Sequence, residues 1–159
     1  MYSVMPRRAE VADARELARL RRAMLQGFGL DTGPADAGWF ASTREWFTSR
    51  LAPEQGNFVA YVIGGGPGDR LVACGLAWLG EHLPTPRTPR GFQGYLAGMF
   101  TEPELRGQGL GRSILLELLA WLKERGAATA ELHASSDGVE LYQSVGFREL
   151  SYPVMTIRL

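Results

Sequence analysis

From Gly94 to Arg125 the sequence passes from a strand-like run through a loop with glycine at 107, 109 and 111 into a strongly apolar, helix-periodic run. This junction constrains the chain more than any other feature. Glycine lets a backbone approach a ligand with no Cβ in the way, and a helix opening near Gly109 aims unpaired N–H groups and a positive dipole end at an anion. A pyrophosphate fits that description.

A chain of 159 residues, 45% of them hydrophobic, suits a single domain over 1–159 with a sizeable core. Lys plus Arg and Asp plus Glu both total 17, so the net charge is zero and the basic excess of a nucleic-acid binder is missing. The first eight residues lack the apolar stretch of a secretory signal, and the longest apolar block, Ile114 to Leu122, is broken by Glu117 and too short for a bilayer. The expectation is a soluble cytoplasmic protein with no membrane partner. A lone Cys74 rules out an intrachain disulfide framework, and His82 and His133 alone offer no metal-ligand spacing, so no metal is expected.

Val4 to Arg8 reads as a strand, followed by a helix with Val11, Ala14, Leu17, Leu20 and Met24 inward and Arg15, Arg19 and Arg22 on a solvated face. A second helix, Asp36 to Arg50, carries Trp39, Phe40, Trp46 and Phe47, which either pack on a sheet or line a groove. Asn57 to Ile63 and Arg70 to Leu79 form an antiparallel hairpin across Gly64 to Asp69, whose glycines precede a strand and so do not form a nucleotide loop. Cys74, on the second of these strands, reads as core material. The proline-rich stretch Glu81 to Gly91 is a long surface loop.

Gly94 to Thr101 is then a strand, Ser113 to Arg125 a helix ended by Gly126, Thr129 to Ala134 a strand and Gly138 to Val145 a short helix. Phe147 to Leu150 and Val154 to Leu159 read as closing strands. Hairpins mixed with crossovers place the chain in the α+β class.

Arg106-Gly107-Gln108-Gly109-Leu110-Gly111 resembles the Arg/Gln-x-x-Gly-x-Gly/Ala loop of the GNAT superfamily of N-acetyltransferases. Downstream, Leu132 to Phe147, with its closing Leu-Tyr-x-x-x-Gly-Phe, resembles the second motif of that family. The resemblance implies a mixed, mostly antiparallel central sheet flanked by about four helices, and acetyl-CoA as cosubstrate. It implies that Met99, Phe100 and Thr101 contact the pantetheine arm, and that Arg106, Gly107, Gln108, Gly109, Leu110, Gly111 and Arg112 surround the pyrophosphate. Ser135 stands where many relatives have a cofactor-contacting Asn, and Ala130 stands where some supply a base.

Tyr142 is the expected proton donor to the departing thiolate, since a phenol stays protonated at neutral pH. Glu131, His133 or water is left as the base. The implied activity is direct transfer of an acetyl group to a primary amine of a small molecule, peptide or protein, without an acyl-enzyme. A noncatalytic acyl-CoA-binding regulatory module is the alternative, and a homodimer is left open. A nicotinamide or nucleoside-triphosphate enzyme is disfavoured, because no Lys-Ser/Thr pair follows the glycines.

Overall fold

The computed structural model describes residues 3–53 and 56–159. Five strands form one sheet in the order of the chain: β1 (Ser3–Arg8), β2 (Phe58–Gly64), β3 (Leu71–Glu81), β4 (Phe92–Thr101) and β5 (Ala130–Glu131). The first four pair antiparallel, whereas β5 runs parallel to β4 after the crossover through a helix. Helices α1 (Ala14–Gly27), α2 (Gly38–Arg50), α3 (Leu110–Glu124) and α4 (Val139–Ser144) flank this sheet. The α+β expectation holds.

Strand β2 is buried along its whole length, which explains its unbroken apolar sequence. Its side chains alternate between two cores. Val59, Tyr61 and Ile63 join Ile114, Leu115, Leu118 and Leu122 of α3. Phe58, Ala60 and Val62 join Leu17 and Leu20 of α1 and Phe47 of α2. The sheet is thus covered by α3 on one face and by α1 and α2 on the other.

The arginine face of α1 is not simply solvated. Arg19 donates to Glu16, to Glu102 at 3.0 Å and to the Leu71 carbonyl at 2.7 Å, while Arg70 reaches the same Glu102 oxygen at 2.8 Å. Helix α1 crosses the sheet where β3 begins and β4 ends, and those distant groups capture Arg19. Arg22 instead lies over the Trp39 and Phe40 rings and donates to the Pro34 and Ala35 carbonyls. Only Arg15 fits the expected exposure. Val11 also departs from expectation, sitting exposed in a 3₁₀ turn ahead of α1.

A larger departure lies after α4. The expected strand over Thr129 to Ala134 contracts to Ala130–Glu131, and the two closing strands do not form. Residues 148–159 are all exposed and make no hydrogen bond to the other described residues. Their β-compatible composition does not suffice because a strand needs a neighbouring edge, and none of the described strands pairs with them.

Asp13 anchors the entry to α1. Its fully buried carboxylate accepts from both terminal nitrogens of Arg7 at 2.8 and 2.9 Å and from the N–H groups of Glu10 and Gly68. Burial pushes its pKa up, but these hydrogen bonds outweigh burial and hold it below the ordinary value; Glu16 is held down in the same way by Arg19 and the Leu71 N–H. The stability both carboxylates contribute is therefore present above the unfolded carboxylate range and is lost as pH falls through the folded values. Asp13→Asn should cost about 3 kcal/mol at pH 7, the scale for stripping one partner from a buried pair. It should also flatten the loss of stability below about pH 4. Thermal melts followed by circular dichroism from pH 2 to 7 check this; equal acid slopes for the two proteins would contradict it.

Candidate active site

The site begins with a bulge in β4. Cys74 pairs with Phe100 and Leu76 with Ala97, so one residue of β3, Gly75, faces two of β4, Gly98 and Met99. Gly98 adopts φ +61°, and a Cβ there would lie 2.9 Å from the Leu76 side chain. Gly75 is equally constrained, since a Cβ on it would stand 2.4 Å from Met99 Sδ. Cys74 Sγ donates to the Gly98 carbonyl at 3.3 Å, and burial drives the thiol pKa up to about 12.

Beyond the bulge β4 loses its other neighbour. Strand β5 pairs only with Gly94 and Tyr95, leaving the stretch from Ala97 to Thr101 with an open edge. Phe100 is paired with Cys74, and the Glu102 N–H donates to the Val72 carbonyl, so both turn toward β3. By the alternation of an antiparallel strand, Thr101, between them, presents its backbone groups to the open side, and Met99 lies in the bulge at the start of that stretch. The Phe100 side chain is buried among the α1 and α2 residues, so only its backbone is available to a ligand on this strand.

The open edge leads into the glycine loop. Gly107 and Gly109 adopt φ +75° and +81°, conformations that favour glycine, and a Cβ on either would meet nothing within 4 Å. Gly109 caps α3 with no side-chain hydrogen bond, so the N–H groups of Leu110, Gly111 and Arg112 have no intrahelical acceptor. Leu110 buries its side chain and can offer only its backbone, whereas Gln108 and Arg112 are exposed. Arg106 turns back: its Nε donates to the Thr101 carbonyl at 3.1 Å, bracing the loop on β4.

Helix α4 closes the far side. A Cβ on Gly111 would lie 3.5 Å from Leu141 and 3.8 Å from Thr101 Oγ1, which brings loop, strand and α4 together. The Tyr142 ring packs over Gly138, where a Cβ would lie only 2.8 Å away, and edge-on to Phe147 at 5.9 Å. Ser135 Oγ lies beside the same glycine. Among the described residues the Tyr142 hydroxyl has no partner, and it is not sealed from solvent, while burial of its ring raises the phenol pKa. Such a group stays protonated through neutral pH.

Glu131 and His133 are both exposed, with Leu132 between them packed toward the α3 core. Neither has a hydrogen-bond partner that would orient it. On the other face of the sheet lies a pocket of about 400 Å³ that sequence reasoning missed in part. Trp46 and Phe47 of α2 reach it as one of the two expected roles for the aromatic helix, together with Arg21, Trp78 and the bulged Gly98. Trp39 and Phe40 go instead to Arg22. Arg21 and Trp78 carried no motif that could have singled them out.

Among the described residues no group of three or more His, Cys, Asp and Glu could hold a metal, and no helix is long and apolar enough to cross a membrane. Residues 17–147 match the model of the acetyltransferase (GNAT) family. Over 64 residues the chain is 41% identical to a mycothiol acetyltransferase of Thermobispora bispora, a stretch covering 38% of this chain and 21% of that protein. The fold resembles the crystal structure of a predicted acetyltransferase with acetyl-CoA from Clostridium acetobutylicum, with a TM-score of 0.83 and 24% identity over 99% of this chain and 96% of that one. It also resembles a GCN5-related N-acetyltransferase from Ralstonia eutropha JMP134, with a TM-score of 0.78 and 26% identity over 99% of both chains.

Cys74 supports the bulge rather than offering a nucleophile, because its thiol is buried and its proton is held far above neutrality. Ellman's reagent at pH 8 should leave the folded protein unmodified over minutes and titrate one thiol after denaturation. Rapid stoichiometric reaction in the folded state would overturn this reading.

Proposed function

Because the chain belongs to the acetyltransferase (GNAT) family, we propose that it transfers the acetyl group of acetyl-CoA directly to a primary amine of a small molecule or peptide. We take residues 1–159 as one such domain, working in the cytoplasm. The observation that carries the reading is the position of β4 between two open sites: the loop and α3 N-terminus on its free edge, and the aromatic pocket at its bulge.

Acetyl-CoA supplies the activated thioester. The N–H groups around Gly107 to Arg112 suit its pyrophosphate, and the exposed Arg112 adds positive charge nearby. The open edge of β4 at Met99 and Thr101 suits the pantetheine amides, with the Thr101 N–H offered as a strand would offer it while its carbonyl accepts from Arg106. A main-chain N–H of this edge aimed at the thioester carbonyl would stabilise developing charge, a contribution of about 3 kcal/mol per donor. Ser135 is positioned beside the Tyr142 ring to offer one further hydrogen bond.

In the transfer an N–C bond forms as the C–S bond breaks. The amine loses its proton to water, with Glu131 and His133 the nearby titratable groups on and after β5, and the departing thiolate takes a proton from Tyr142. The free hydroxyl of Tyr142 favours this over a noncatalytic acyl-CoA-binding module, in which the phenol would serve only for packing.

Saturating acetyl-CoA should raise the melting temperature by roughly 5–10 °C at a hundredfold excess over Kd. Tyr142→Phe should keep that shift while kcat falls about a hundredfold, measured as thiol release with a responsive amine. Wild-type turnover in the variant would remove Tyr142 from the acid role. A retained thermal shift with no turnover on any amine would favour the binding module.

A further inference from the structure

The pocket at the bulge contains a single charged side chain, Arg21. Around it stand Trp46, Trp78, Phe47 and Leu76, with the hydroxyls of Ser42 and Thr43, and no carboxylate lines the wall. The neighbouring arginines are engaged: Arg19 with Glu16 and Glu102, and Arg22 with two rings and two carbonyls. Among the described residues Arg21 has no hydrogen-bond, ion-pair or ring partner. A guanidinium on an aromatic wall is built for a planar or tetrahedral anion.

Resting on the acetyltransferase reading, we propose that the amine acceptor is amphoteric: it carries a carboxylate or phosphate that pairs with Arg21 and an apolar body that lies against Trp46 and Trp78. The volume of about 400 Å³ suits a molecule of amino-acid size. Polyamines and other polycations are excluded by the same wall, because their extra ammonium groups would meet Arg21 and find no carboxylate.

Two matched pairs test the charge: phenethylamine against L-phenylalanine, and ethanolamine against phosphoethanolamine, with spermidine as the polycation. The anionic member of at least one pair should have a kcat/KM at least tenfold higher, and which pair responds separates carboxylate from phosphate. Arg21→Gln should erase that preference mainly through KM, and Arg21→Lys should restore part of it. Equal rates within both pairs, a preference for spermidine, or discrimination intact in Arg21→Gln would overturn the proposal. Quenching of tryptophan fluorescence by the same probes reads binding without turnover. Arg21-dependent quenching in a protein that transfers no acetyl group would sink the enzymatic reading and leave the anion site standing. No turnover and no quenching with either anionic probe would overturn the anion site itself.

Discussion

Gly98 sits at the point where the sheet stops being regular, and the placement of both open sites depends on it. With φ +61° and two residues opposite one, it bends β4 beside Leu76 and turns the strand away from β5. Any side chain at this position would combine a strained backbone with a contact 2.9 Å from Leu76. Gly75 makes the complementary concession, leaving space for Met99 to cross β3. The bulge also forms part of the wall of the aromatic pocket, so one backbone irregularity adjoins both the pocket and the open edge that leads to the glycine loop.

Two polar anchors hold the covering helices in register with that strand. Glu102, immediately beyond β4, gathers Arg19 from α1 and Arg70 from the turn before β3. Asp13 ties β1 to the start of α1 and to the Gly64 to Asp69 turn through Gly68. Each carboxylate is buried or nearly so, Asp13 accepting from four donors and Glu102 from two guanidinium groups, the arrangement under which burying charge is tolerated. Their effect is positional: α1 is fixed where Arg21 overlooks the pocket.

Local chemistry made much of this readable. Gly107 and Gly109 are glycines at left-handed positions before a helix, and Leu141-Tyr142 with Gly146-Phe147 marks the short helix that brings a phenol to the same place. The β-rich apolar run from Phe58 to Ile63 and the turn glycines gave the hairpin, and helical spacing gave α1 and α3. Arg19 was misread because its partners stand 52 and 83 residues away. The aromatic helix could be read two ways because α2 does both: Phe47 faces the core while Trp46 also reaches the pocket.

The amino-acid order by itself determined the strands and helices as far as α3 and the short α4, and where glycine lets the backbone take a positive φ before α3. These follow from neighbours a few residues apart, through sterics, periodicity and unpaired N–H groups. Only the tertiary structure decided that Phe100 turns inward while Thr101 faces the cleft, that Arg21 stays free while Arg19 and Arg22 do not, and that the segment after Phe147 finds no edge in its own chain. Those outcomes depend on strand register and on partners brought together from distant positions, and a single sequence carries no local signal of either.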